Sequence, residues 1–335
     1  MGSYIITLDT GTTNTRVILW DSSRKIVATS KAEVGVRNTA IDGNNNRLKA
    51  AVKSCLESVL KEANLSYDDV RMIIASGMIT SNVGLVEIPH CVVPVSVVEL
   101  ASAVKSISLP EVCPIPITFI PGVKNSNGPI NLENFEAMDI MRGEEVEAIA
   151  IIEQCQRGQS YLLVLPGSHM KFISVDEAGC ITGCLTSISG ELLASITNDT
   201  IIADAVGKKF VEEESYDRDM LLTGYEIAQK SGIGRACFSA RILNQFAIKD
   251  KQKLANYILG VALQSDVTAI KNSDALKVNP STDVIVAGKN PLRQAIADIL
   301  ERDGYFANIH KFEVQGNLPL SAVGAYIIAE KSKLL

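Results

Sequence analysis

The chain reads as an α/β protein in two related domains, and three observations carry that reading. The stretch 161–187, YLLVLPGSHMKFISVDEAGCITGCLTS, repeats the order of parts in 4–30, YIITLDTGTTNTRVILWDSSRKIVATS. Each has an apolar run opened by Tyr, a turn of glycine and hydroxyl residues, a second apolar run, an Asp-led turn and a third run. Stretches with apolar residues at helical spacing follow each copy. The 335 residues are enough for two cores of ordinary size. A repeat dictates architecture, so each copy is expected to found one domain, the first over 1–130 and the second over 131–316.

In the first copy, Val, Ile, Leu and Tyr flank the loop Asp9-Thr10-Gly11-Thr12-Thr13-Asn14-Thr15 and favour strands on both sides. A short loop rich in N–H groups and hydroxyls can wrap an anion, and Gly11 lets the backbone come close to it. Asp9 at the strand end can face a metal ion bound to that anion. An ordinary hairpin turn has the same composition. Residues 25–32 supply a third strand and complete an antiparallel meander. The glycine loop therefore passes from strand to strand. Walker loops and Rossmann fingerprints pass from strand to helix, which argues against both.

Further along, 35–46 reads as a loop, 47–63 as a helix, and 72–76 as a buried strand running into a glycine–hydroxyl loop at 77–84. The stretch 92–109 mixes strand and helix signals. Residues 115–120 are apolar and end at Pro121-Gly122. The polar stretch 123–133 takes the domain boundary or a substrate loop. Residues 138–153 read as a helix, with Glu144, Glu145 and Glu147 near its start, where acids suit the helix dipole. In the second half, 221–229, 251–270 and 318–330 have helical spacing. DVIVAGKNPL at 283–292 is a strand ending at Gly288 ahead of a helix over 293–301.

Composition narrows the function. The net charge of −6 offers no footprint for nucleic acid, and no basic run would hold an anionic membrane. No stretch has the length of a membrane span or the pattern of a secretory signal, so a cytosolic location is the default expectation. Seven scattered cysteines form no CxxC pair and point to reduced thiols. The three histidines lie far apart, which argues against a zinc site.

Two glycine–hydroxyl hairpins, one per domain, suit a polyphosphate clamped from both sides. With DTGTTNTR as a first phosphate motif, LPGSHMK as a second and DVIVAGKNPL as an adenosine motif, the chain resembles the actin, Hsp70 and sugar-kinase superfamily. The resemblance implies the two-domain actin-like ATPase (ribonuclease H-like) fold. Each domain would be a mixed five-stranded sheet flanked by helices, with the active site in the cleft between them. It also implies a terminal helix, within 317–335, that packs back on the first domain.

DTGTTNTR, SGMITSNVGLVEIPH at 76–90, IPGV with IMRGEEVE at 120–147, and LPGSHMKFI with SISGEL at 165–192 resemble the 2-dehydro-3-deoxygalactonokinase family in particular. That likeness covers nearly the whole chain. Thr10, Leu85 and Phe172 stand where this family commonly has tryptophan. The resemblance implies ATP- and Mg²⁺-dependent phosphorylation of 2-dehydro-3-deoxy-D-galactonate at its terminal 6-hydroxyl, in galactonate catabolism. Another carbohydrate kinase of the same fold, or a nucleotide-switched regulatory protein, are the alternatives. A small sugar acid and ATP are the expected partners, and a homodimer is left open.

Phosphoryl transfer needs in-line alignment, charge neutralisation and an oriented acceptor. Asp9 is expected to orient Mg²⁺ or its waters. Gly11, Thr12, Thr13 and Asn14 would hold phosphate from one wall, and Gly167, Ser168, His169 and Lys171 from the other, with Gly288 on the adenosine side. The resemblance places the base in the Gly143-Glu144 pair, so Glu144 is expected to accept the hydroxyl proton with Arg142 beside it; Glu145 and Asp139 are the alternatives. Gly77, Ser81 and Asn82 would face the sugar, and Arg37 is the candidate partner for its carboxylate.

Overall fold

The computed structural model describes residues 2–313 and 318–332. The first half runs β1 (Tyr4–Thr10), β2 (Thr15–Trp20), β3 (Ile26–Ala32), α1 (Val36–Asp42), α2 (Asn46–Glu62), β4 (Val70–Gly77), β5 (Cys91–Val92), α3 (Val97–Ala103), β6 (Lys105–Ile107), β7 (Ile117–Phe119) and β8 (Val123–Lys124). The second begins with β9 (Ile140–Met141) and α4 (Glu144–Ile152). It continues with β10 (Tyr161–Leu165), β11 (Met170–Val175), β12 (Ile181–Ser187), α5 (Ser189–Asp199) and α6 (Ala203–Val206). It closes with α7 (Arg218–Phe246), α8 (Lys251–Asn272), β13 (Asp283–Val286), α9 (Leu292–Asp303), β14 (Ile309–Lys311) and α10 (Leu320–Lys331).

The repeat read from the sequence is a repeat of sheet topology. One sheet has the order β3-β2-β1-β4-β7-β6 and the other β12-β11-β10-β13-β14. In each, three antiparallel strands are followed by two parallel ones. The second sheet has the five strands expected. The first has a sixth, because Lys105–Ile107 in the ambiguous stretch pairs antiparallel with β7. A small third sheet, β5-β8-β9, joins strands from both halves.

Both sheets are covered on both faces, which is why their strands read as continuous apolar runs. Side chains alternate between faces with period two. Ile6, Leu8, Val17 and Leu19 pack under α2, while Ile5, Ile18 and Trp20 face α4 and α10. In the second sheet Leu162 and Val164 meet α7, α8 and α9, while Tyr161, Leu163 and Leu165 face the same central layer. Thus α4 and α10 lie between the two sheets. They cross so tightly that a Cβ on Gly324 would lie 1.8 Å from the Val146 carbonyl oxygen.

Three local expectations shift. The loop 35–46 contains α1, because Gly35 and Asn38 cap its start and Gly43 ends it in the left-handed region. The helix expected over 138–153 begins only at Glu144, since Ile140–Met141 pairs with β8 and Gly143 at φ +112° breaks the run. The terminal helix expected within 317–335 is α10, and 317 and 333–335 lie outside the described residues. Among the described residues all seven cysteines are free, and no helix is long and apolar enough to cross a membrane.

The α4–α10 crossing yields a test. Gly324→Ala should lower the unfolding midpoint by an amount equivalent to roughly 1–3 kcal/mol, the usual cost of overpacking. Gly304, at φ +71°, is the control, since a Cβ on it would meet nothing within 4 Å. Ala there should cost only the left-handed backbone penalty, about 1 kcal/mol. Denaturant melts of the two variants measure this, and equal midpoints would remove the close crossing from the account.

Candidate active site

Each hairpin turn is shaped by its own hydrogen bonds and backed by a glycine. In the first, the Gly11 N–H donates to the Asn14 carbonyl at 2.9 Å, and the Asn14 amide donates to Thr13 Oγ1 at 2.8 Å. Val36 and Arg37 N–H groups at the start of α1 donate to the Gly11 and Thr12 carbonyls. A Cβ on Gly35 would lie 2.5 Å from those backbone atoms. The second turn has the same device. The Glu191 N–H donates to the Ser168 carbonyl at 3.0 Å, and a Cβ on Gly190 would lie 2.2 Å from the Gly167 carbonyl. In both, bracing uses up carbonyls and leaves the turn to present N–H groups and hydroxyls. Sequence reading missed this pairing; its signal was a glycine a few residues past each third strand.

The two halves meet at a pair of glycines. Gly77, at φ +86°, ends β4, and Gly143, at φ +112°, precedes α4. A Cβ on Gly143 would lie 3.3 Å from the Gly77 Cα, and one on Gly77 would lie 2.9 Å from Asp9 Oδ1. Only glycine fits both the dihedrals and the space. The contact sets the first turn of α4 beside the end of β1.

A cavity of about 250 Å³ opens there. Asp9, Gly11, Gly77, Arg142, Glu144, His169 and Lys171 line it together, joined by Thr10, Met78, Glu147, Pro166 and Ser321. Gly288 abuts its wall at Pro166, whose ring would lie 3.2 Å from a Cβ on Gly288, so the strand-end glycine meets the second hairpin. The remaining expected residues do not line it. Thr12 and Thr13 are exposed on the turn, and Gly167 and Ser168 belong to the second turn. Ser81 is buried and donates to the Met78 carbonyl, Asn82 is exposed, and Arg37 is exposed on α1. Of the three positions where the resembled family has tryptophan, Leu85 and Phe172 are core residues and only Thr10 lines the cavity.

The acids differ in what holds them. Glu145 is 1 % exposed and accepts the Gly143 N–H through both oxygens, at 2.9 and 2.8 Å. Burial, with the Glu144 charge beside it, pushes its carboxyl up to about 8. Asp139 accepts from the Thr186 N–H and hydroxyl. Glu144 accepts the Arg142 N–H at 3.1 Å. One helical turn on, Glu147 is pushed up to about 8 by burial and then by the charges of Asp9 and Glu144. Asp9 is raised by burial, which outweighs its hydrogen-bond neighbour Ser321 and the Arg16 charge across the hairpin.

The cations are engaged too. The Arg142 guanidinium donates to Thr80 Oγ1 and the Ile88 carbonyl, both at 2.8 Å, and reaches His90 Nδ1 at 3.4 Å. It ties the loop after β4 to the start of α4 and does not stand free beside Glu144. Burial and then the Arg142 charge hold His90 down to about 4. Lys171 is 4 % exposed; its ammonium donates to the Ile140 carbonyl at 3.0 Å and to Thr186 Oγ1, leaving a third N–H. His169 Nε2 lies 2.9 Å from Glu191 at the rim.

Two features bear on an anion and a cation. A Cβ on Gly11 would meet nothing within 4 Å, so the turn keeps open space on the cavity side. Asp9, with Glu147 near it, forms a partly buried acidic pair facing that space. Among the described residues no three His, Cys, Asp or Glu side chains could hold a metal by themselves. Mg²⁺ at phosphates needs only one or two carboxylates besides phosphate oxygens and water, and this donor set fits that need.

Comparison with known proteins gives a family and a fold. A family profile described as 2-keto-3-deoxy-galactonokinase matches residues 9–316. No curated protein matches the chain. Among solved structures, a Sinorhizobium meliloti protein provisionally described as a 2-dehydro-3-deoxygalactonokinase superposes with a TM-score of 0.73 at 18% identity, covering 97% of this chain and 96% of that one. Component A of (R)-2-hydroxyglutaryl-CoA dehydratase from Acidaminococcus fermentans gives 0.50 at 14% identity, covering 98% of each. At such identities the likeness speaks for the fold, the actin-like ATPase arrangement of two mixed sheets.

Two outcomes follow from this geometry. Gly11→Ala should raise KM for ATP at least several-fold while leaving the unfolding midpoint within about 1 kcal/mol of wild type; steady-state kinetics and a melt read both, and an unchanged KM would free the turn of a phosphate role. Beneath the second turn, Asp266 accepts the Ser189 hydroxyl at 2.7 Å while its Oδ1 has no partner among the described residues. Burial raises it from 3.8 to about 6. A folded value above the unfolded one means that ionisation costs stability as pH rises from 3.8 through 6. Asp266→Asn should therefore gain on wild type over that window, by up to roughly 3 kcal/mol at pH 8. Urea midpoints at pH 4 and pH 8 check it, and a difference independent of pH would sink it.

Proposed function

We propose, from the premise that the chain belongs to the 2-keto-3-deoxy-galactonokinase family, that it phosphorylates 2-dehydro-3-deoxy-D-galactonate at the terminal 6-hydroxyl in galactonate catabolism. Membership makes it a kinase, a phosphotransferase that takes ATP. The observation that supports the finer reading most is the Gly77–Gly143 contact, which sets Glu144 and Asp9 on one cavity between the two hairpins.

Glu144 is the base in this reading. Its rivals do not line the cavity: Glu145 is 1 % exposed on the Gly143 N–H, and Asp139 is held by Thr186. Glu144 accepts one backbone bond, which orients it without neutralising it. The acceptor hydroxyl gives its proton to this carboxylate as the oxygen attacks the γ-phosphorus in line. Gly11 to Asn14 and the third N–H of Lys171 receive the phosphate oxygens, and His169 stands at the rim. Asp9, with Glu147 beside it, would hold Mg²⁺ or its waters, and the ion would supply neutralisation of β- and γ-phosphate charge. Arg142 takes a different part from the one expected. By holding Thr80, Ile88 and His90 it fixes the sugar-side loop, including Gly77, against the base. Arg37, exposed at the first turn, remains the candidate for the sugar carboxylate once the cleft closes over substrate.

An ADP-release assay across 2-oxo-3-deoxy sugar acids and neutral hexoses tests the acceptor: turnover is expected with the former, and turnover with hexoses alone would overturn the assignment. Glu144→Gln should lower kcat about 10²- to 10⁴-fold with KM for ATP little changed, and Asp139→Asn should cost far less. A Glu144→Gln enzyme of near-normal kcat would dismiss Glu144 as base.

A further inference from the structure

Asp9 is met from behind by the last helix of the chain. Ser321, in the first turn of α10, lies 3.3 Å from Asp9 Oδ2 through its hydroxyl, although 312 residues separate the two. On the other oxygen, Gly77 closes the space, since a Cβ there would sit 2.9 Å from Oδ1. Beside the Ser321 bond is a void of about 10 Å³, lined by Thr7, Asp9, Ser76, Ser321 and Ala325 among others. The parallel register of β1 and β4 sets Ser76 directly opposite Asp9. Ser76 is fully buried, and its hydroxyl has no hydrogen-bond partner among the described residues. Thr7, whose hydroxyl accepts the Trp20 indole N–H at 2.8 Å, keeps its own O–H to donate and lines the same void.

Buried hydroxyls are almost always paired, and a void of this size, with Thr7, Asp9, Ser76 and Ser321 among the residues of its otherwise apolar wall, is about what one water occupies. We infer that this void binds a single water bridging Ser76 to the Asp9 carboxylate, and that Ser321 and Ser76 are the positioning residues that fix Asp9. The same helix packs Gly324 against Val146 of α4, the helix that carries Glu144 and Glu147. One rigid element therefore holds the acid of the first hairpin and the acid of the second half in register. This inference rests on the reading that Asp9 serves the metal side of the phosphates.

The test uses the full chain and Mn²⁺ as the probe, with ADP present and no sugar acid, read by electron paramagnetic resonance. Ser321→Ala should weaken Mn²⁺ binding about tenfold and lower kcat by a similar factor, the range for groups that orient a metal-side carboxylate. Ser321→Thr, which keeps the hydroxyl, should recover most of both. Ser76→Ala should weaken Mn²⁺ in the same direction by several-fold, and a high-resolution crystal structure should show the water in wild type and not in this variant. Mn²⁺ affinity within about twofold of wild type in Ser321→Ala, or a loss of kcat without a loss of affinity, overturns the proposal, because Ser321 would then not act through Asp9. If Ser321→Ala does not fold, Ser76→Ala decides alone by the same criterion. Asp9→Asn separates the two readings: unchanged Mn²⁺ affinity there refutes the metal role of Asp9 itself. A change of sugar substrate leaves this experiment untouched.

Discussion

The approach of Gly77 to Gly143 is the contact on which the site depends. Both residues occupy backbone regions that side chains rarely enter; a Cβ on Gly77 would collide with Thr10 and Asp9, and one on Gly143 would press on the Gly77 Cα at 3.3 Å. The end of a parallel strand in one sheet can therefore touch the start of a helix belonging to the other half. That single approach brings Asp9, fixed at the end of β1, and Glu144, fixed at the start of α4, to one cavity. Any side chain at the contact would push Asp9 and Glu144 apart, and for the roles proposed above small displacements of the reacting groups are costly.

Around that contact the molecule repeats one solution. A three-stranded meander continues into two parallel strands, a hairpin turn projects from the first pair, and a glycine at the next helix start braces the turn from behind. Bracing by backbone bonds orients the N–H groups of the turn before any ligand arrives, so their ordering need not be supplied on binding. Arg142 does comparable work across the halves. Its two terminal nitrogens contact a hydroxyl, a carbonyl and an imidazole, and the loop after β4 is held by them. The side chain expected beside Glu144 has its guanidinium on the loop after β4.

The cleft floor carries an excess of acid. Glu145 and Glu147 are each raised to about 8, and Asp9 is raised as well, chiefly by burial and with the Glu144 charge adding to each. Arg16, opposite Asp9 in the hairpin, answers part of it. Such a floor is poorly satisfied by protein alone, and in the function proposed above a divalent cation accompanying a polyphosphate would relieve it. The family to which the chain belongs is one of kinases, which take ATP.

The sequence by itself determined the duplication, the strand-to-strand glycine loops and the strand-end glycine at Gly288, because these are local patterns of turn chemistry and period-two apolar runs, while the family was legible through the resemblance of its motifs. It also nominated Asp9, Gly11, Gly77, Glu144, His169 and Lys171, which the fold gathers on one cavity. It did not reveal α1, whose stability comes from docking on the first turn more than from propensity. Nor did it reveal the sixth strand, whose three residues become strand by pairing with β7. Only the tertiary structure decided which acids were free. Glu144, Glu145 and Glu147 are near-identical in sequence context, and what separates them is a backbone N–H at 2.8 Å, a neighbouring carboxylate and the wall of a cavity. The same holds for Ser321, which has no motif around it and reaches Asp9 only because α10 returns between the sheets. Contacts across hundreds of residues leave no local pattern to read, since any small hydroxyl residue at a helix start would look the same.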